Sequence, residues 1–224
     1  MRMPLSPTRS YLTVASPATA EIEVRRSRFR CDLDRVETEE AARAFIERVR
    51  AGSRDARHHC TAFVLGPDGM TQRSNDDGEP SGTAGAPMLE VLRGRGLSDV
   101  VAVVTRWFGG TLLGTGGLIR AYGDAVQAAL DAATTVRREE RRLWSVEVRH
   151  EHGPRVENAL RGRAAVAVTD AAWGTTTLTL GLAVDPASGL DVTALVAELT
   201  GGAAEPVEVG HTWVDVAVDG SPGG

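Results

Sequence analysis

The chain has 224 residues, of which 42% are hydrophobic but only 4% aromatic, so any core is built mainly from Val, Leu and Ala. A net charge of −5 argues against bulk polyanion binding, and the two cysteines, Cys31 and Cys60, are too few for a disulfide framework. No stretch approaches the ~20 consecutive apolar residues that cross a bilayer, and the N-terminus carries no signal-peptide run.

These bounds predict a cytoplasmic protein with reduced thiols and no membrane partner. Every basic residue is arginine. Arginines and acids are nearly balanced over residues 1–137, whereas residues 138–224 hold the acidic excess. Contact with nucleic acid therefore belongs to the first part of the chain.

Residues 1–10 read as a loose end, and Tyr11 to Val14 as the start of a strand. Residues 20–36 alternate in part and predict a strand or hairpin. Arg25, Arg26, Arg28 and Arg30 crowd this segment, either as a solvated strand face or as a phosphate-contact face. Thr38 caps a predicted helix that ends at Gly52, with Glu39 and Glu40 in its first turn. Residues 60–65 and 70–73 form a hairpin around Gly66-Pro67-Asp68-Gly69. His58 and Cys60 invite a metal or nucleophile reading, but no second His/Cys pair gives zinc spacing, and core packing is preferred.

The special residues concentrate between Asp76 and Arg120. Asp76-Asp77-Gly78-Glu79-Pro80-Ser81-Gly82-Thr83-Ala84-Gly85 is an acidic turn. Asp76, Asp77 and Glu79 suit either a magnesium ion or, preferred here, an ordinary turn in which Ser81 or Thr83 caps the next helix. That helix stops at Gly94-Arg95-Gly96, and a strand follows over residues 99–107, apolar on both faces as in a covered sheet.

The strand runs into a loop with five glycines, Gly109, Gly110, Gly114, Gly116 and Gly117, and then into a helix over residues 115–133. Free N–H groups at that helix start, with Arg106 before it and Arg120 after it, would make an anion site; the plain alternative is a structural turn. Neither a Walker ending nor a dinucleotide fingerprint is present. No cofactor is expected, and with the turn reading of Asp76, Asp77 and Glu79 preferred, no metal is expected either.

Together the two motifs resemble the IMPACT/YigZ family. The family pattern is Asp-Asp-Gly-Glu-Pro-x-Gly-Thr-Ala-Gly, then a strand ending Arg-aromatic-Phe-Gly-Gly, then Leu-Gly-x-Gly-Gly-Leu-x-Arg-Ala-Tyr. Residues 76–85, 106–110 and 113–122 match it, and Ser27-Arg28-Phe29 and His58-His59-Cys60 resemble further family positions. Trp107 stands where the family usually has tyrosine. The resemblance is strong over residues 20–135.

Residues 134–142 read as a charged connector. Beyond it come strands at about 143–149, 164–172, 176–184 and 207–218, with helices at about 153–162 and 190–200. That order is a split βαβ, ferredoxin-like unit without a catalytic constellation.

The expected fold class is α/β in the α+β sense, with two domains at residues 11–135 and 143–219. The resemblance implies that the first is similar to the second domain of small-subunit ribosomal protein five. It implies that the second is similar to domain five of elongation factor G. It further implies a translation-associated regulator whose partner is RNA or the ribosome, bound weakly. Eukaryotic relatives bind an activator of a starvation-responsive kinase, an interaction not carried over here. Two alternatives stand beside this reading: an enzyme or binding protein for a phosphorylated small molecule at the glycine loop, and a protein-interaction module. Whether the chain is an enzyme is left open, because no base–nucleophile pair can be named.

Overall fold

A computed structural model describes residues 10–218. The expectation of a loose end at residues 1–10 falls, save for Ser10, outside the described residues. The chain divides into two compact units, one of residues 11–138 with the chain from 215 onward, the other centred on residues 139–214.

The first unit is built on an antiparallel sheet in the order β2-β3-β6-β4-β5. Its strands are β2 (Ala18–Val24), β3 (Ser27–Arg35), β4 (His58–Leu65), β5 (Thr71–Asn75) and β6 (Val100–Trp107). A short strand, β1 (Ser10–Val14), precedes them. Three helices complete the unit: α1 (Glu39–Gly52), α2 (Gly85–Gly94) and α3 (Gly114–Ala132).

The period-2 alternation of strands divides the core between the two faces. On one face Phe29, Cys31, Leu33, Cys60, Ala62, Val100, Ala102 and Val104 pack with Met88 and Leu92 of α2 and Leu118, Tyr122 and Val126 of α3. On the other, Phe63, Leu65, Val101 and Val103 pack with Ala42 and Phe45 of α1. The central strand β6 is thus apolar on both sides because helices cover both sides.

Local chemistry explains most of the boundaries. Thr38 Oγ1 accepts from Ala41 N at 3.1 Å and starts α1. Gly66 and Gly69 both take positive φ in the β4–β5 turn, which Gly69 N closes onto Gly66 O at 2.9 Å. The cap expected for α2 is corrected. Its N-cap is Ala84, without a side-chain cap of its own, and Thr83 Oγ1 donates instead to Pro80 O at 2.6 Å. The capping oxygen comes from Asp76, eight residues upstream of Ala84.

The charged connector is also corrected. Residues 135–149 form one strand, β7 (Thr135–Arg149). Two of its arginines are paired: Arg138 reaches Glu37 at 2.7 Å and Asp215 at 3.5 Å, and Arg141 reaches Glu139 at 2.8 Å and Asp185 at 3.7 Å. The boundary between the two units, at residues 138/139, falls within this strand.

The second unit has the order β7, α4 (Gly153–Arg161), β8 (Val166–Trp173), β9 (Thr177–Val184), α5 (Val192–Thr200), β10 (Pro206–Ala217). The strands lie as β10-β7-β9-β8, the ferredoxin-like arrangement. Val146, Val148, Leu178, Leu180 and Leu182 pack with Val156 and Leu160 of α4 and Val192, Leu195 and Val196 of α5. Asp191 caps α5 by accepting from Ala194 N, and Gly201 closes it in the left-handed region at φ 63°.

Candidate functional site

The strand register gathers both motifs at one end of the first sheet. Arg106 near the end of β6 lies opposite Phe29 of β3 and His58 of β4. The acidic turn follows β5 and returns beside the start of β4, where His58 Nδ1 lies 2.8 Å from Asp77 O.

Each of the three carboxylates has a separate task. Asp76 accepts from Gly82 N at 2.8 Å through one oxygen, and from Ala84 N and Gly85 N at 3.0 and 2.8 Å through the other. It satisfies the orphan donors at the start of α2. Burial alone would raise its carboxyl, but the three backbone N–H groups outweigh that and hold it below its ordinary value. Asp77 adopts φ 43° and accepts from Arg50 at 3.0 Å and His59 N at 2.7 Å. Glu79 accepts from Arg106 at 2.6 Å and from the Tyr122 hydroxyl at 2.8 Å, through the same oxygen.

The Glu79–Arg106 pair is buried, with side-chain exposures of 4% and 8%. The Arg106 guanidinium lies 5.4 Å from the Phe29 ring centroid and 5.8 Å from that of Phe108, while its Nε has no hydrogen-bond partner. Beside the pair, Cys60 Sγ donates to Asp76 O at 3.0 Å, and burial pushes its thiol up to about 12. Burial raises the Tyr122 hydroxyl and the Cys31 thiol as well. A thiol so raised is a packing group and not a nucleophile. Among the described residues, no cluster of three or more His, Cys, Asp or Glu is arranged to hold a metal ion.

The glycine loop does several different things. Gly109 is locked against the β2–β3 hairpin: its N donates to Ser27 Oγ at 3.1 Å, and a Cβ there would lie 2.0 Å from the Arg26 carbonyl carbon and oxygen. Only glycine fits. Gly110 and Gly114 take φ 84° and 70°. Gly114, Gly116 and Gly117 form the first turn of α3, whose N-cap, Leu113, supplies no side-chain cap. Arg120 is exposed and lines a groove of about 540 Å³ together with Ala86, Pro87 and Val91 of α2 and Ile119 and Gly123 of α3.

Arg25 and Arg26 form the two-residue turn between β2 and β3, with φ 47° and 66°. Both lie in the left-handed region that this hairpin turn demands, where asparagine and glycine are the usual residues. Arg26 donates to Thr111 Oγ1 at 3.2 Å. Arg28 stacks over Trp107 at 4.3 Å and has only a long contact, 3.9 Å, to Glu21. Arg30 is committed to Asp32 at 2.9 Å.

Two side chains escaped sequence reasoning. Tyr122 closes the second motif, but nothing in the sequence marks it as a donor to Glu79. Phe108 follows a strand covered on both faces and enters a glycine loop, a position that leaves little room for burial; it is 55% exposed.

The fold and this site define an α+β protein of two units, the first carrying a buried acid–arginine lock beside a glycine loop and an arginine hairpin. Residues 25–130 match the family described as the Impact N-terminal domain. The chain is 47% identical over 152 residues to IMPACT family member YvyE of Bacillus subtilis strain 168, spanning 68% of this chain and 70% of that protein. It is 52% identical over 131 residues to IMPACT family member YigZ of Escherichia coli K12, spanning 58% of this chain and 64% of the relative. It is 35% identical over 102 residues to the protein IMPACT homolog of Saccharomyces cerevisiae, spanning 43% of this chain and 39% of that one. A solved structure titled "Crystal structure of an hypothetical protein" superimposes with a TM-score of 0.64 at 37% identity, over 90% of this chain and 98% of its own. The chain belongs to the IMPACT family.

Proposed function

We propose that this protein is a translation-associated regulator that binds RNA, free or within the ribosome, weakly and without sequence preference, through the hairpin end of its first unit. The observation that carries the reading is the junction of the Arg25–Arg26 turn with the glycine loop. Two exposed arginines are held there in a fixed turn, and neither has a carboxylate partner among the described residues. Arg28 adds a third cation on the same hairpin, presented by Trp107. Phosphate contacts supply most sequence-independent affinity and weaken as salt rises. The unit's near-balanced charge keeps such binding local and modest. Kinship with IMPACT proteins from bacteria and yeast is consistent with this role.

The decisive experiment is a titration of labelled RNA at several salt concentrations, with the double variant Arg26→Glu/Arg28→Glu in parallel. Each phosphate contact contributes about −0.7 to −0.9 to the slope of log affinity against log salt. The variant should weaken binding and flatten that slope by about 1–2. Unchanged binding in the variant would refute the reading. Less supports a phosphorylated small molecule at the glycine loop, because its central cation, Arg106, is already neutralised by Glu79.

A further inference from the structure

We infer that the nucleic acid taken at this end is single-stranded, with an unpaired base stacked on Phe108; the inference rests on the RNA reading above. Phe108 is the first residue after β6 and is 55% exposed. Its position is fixed from several sides. The buried Arg106 guanidinium lies 5.8 Å from the ring centroid, itself held by Glu79. Gly109, the next residue, cannot move toward the hairpin without meeting the Arg26 carbonyl, and its N–H is held by Ser27. Thr111 is held in turn by Arg26. The ring is therefore a preorganised platform and not a loose apolar tip.

The surroundings select the occupant. The loop carrying Phe108 is tied to Arg26, and the residue before it, Trp107, carries the stacked Arg28 guanidinium. A cation–aromatic alternation of this kind complements a chain that alternates anionic phosphates with planar bases. In a duplex the base faces are covered by their neighbours, so an aromatic platform has nothing to stack on. Single strands, loops and ends offer that face, and stacking on aromatic side chains is how such strands are held without regard to sequence. A protein partner docking on Phe108 and the 82% exposed Leu112 is the competing occupant. It leaves Arg25 and Arg26, which have no carboxylate partner among the described residues, without an anion to meet.

The test uses the full chain and two labelled probes, an unstructured RNA of about 12 nucleotides and a duplex of the same sequence, within the site sizes usual for single-strand readers. The single strand should bind more tightly. Phe108→Ala should weaken it roughly five- to a hundredfold, leave the duplex affinity nearly unchanged, and preserve the salt slope, since no phosphate contact is lost. Phe108→Trp should restore the single-strand affinity. An unchanged thermal melt shows that the exposed ring is not needed for folding. If both probes bind equally and Phe108→Ala changes neither, stacking is overturned while the RNA reading survives, provided Arg26→Glu/Arg28→Glu still weakens both. If neither probe binds, both readings fall.

Discussion

Replacing Glu79 by Gln, or Arg106 by Met, removes one half of a buried ion pair. Exposed ion pairs contribute only about 0–1 kcal/mol. This pair is 2.6 Å apart with both side chains more than nine-tenths buried, so it falls in the other regime. There, stranding one charge costs about 3–5 kcal/mol. Two details place the cost near the lower end. Arg106 Nε already lacks an acceptor, so part of its desolvation is uncompensated in the native protein. In Arg106→Met, the Glu79 carboxylate would keep one donor, the Tyr122 hydroxyl. Each single change should therefore cost about 3 kcal/mol. The double change Glu79→Gln/Arg106→Met removes both charges and retains an acceptor for Tyr122. It should cost no more than about 1–2 kcal/mol, a large coupling of the kind that contacting residues show. Urea unfolding followed by circular dichroism reads all four stabilities. Single changes that cost under about 1 kcal/mol, or a double change equal to their sum within about 0.5 kcal/mol, would refute the lock.

Three further outcomes follow from the same geometry. Asp76→Ala should cost about 1–2 kcal/mol at neutral pH through the lost helix cap. Because folding lowers the Asp76 carboxyl, its ionic contribution is complete above the unfolded-state value of about 3.9 and is lost as pH falls through the folded-state value. The stability gap between the parent and Asp76→Ala should thus narrow below about pH 4, and a gap constant down to pH 3 contradicts the capping role. Cys31 and Cys60 are fully buried with raised thiols, so a thiol reagent near pH 8 should label neither until denaturant is added; rapid labelling of either in the folded protein would contradict that burial. Gly109→Ala places a methyl 2.0 Å from the Arg26 carbonyl, which should cost more than about 2 kcal/mol and weaken RNA binding together with stability; a neutral melt would show that the loop is not pinned to the hairpin.

The sequence by itself determined most of the elements, because their signals are local. Thr38 and the two glutamates after it specify the start of α1, the paired glycines specify the β4–β5 turn, and β6 announces its double burial by being apolar at every position from Val100 to Val104. The two motifs were legible as one composite pattern through their resemblance to the IMPACT/YigZ family. Tertiary structure decided what their residues do. Glu79 and Arg106 are 27 residues apart, Asp76 caps a helix through the N–H groups of Gly82, Ala84 and Gly85, and Gly109 is glycine because of Arg26, 83 residues before it. Arg25 and Arg26 occupy a turn whose local chemistry asks for other residues, and within the charged run Arg138 meets partners as distant as Glu37 and Asp215. Periodicity and turn preference are fixed by nearest neighbours, whereas the role of a carboxylate or a guanidinium depends on the charge, donor or backbone that meets it when distant segments pack.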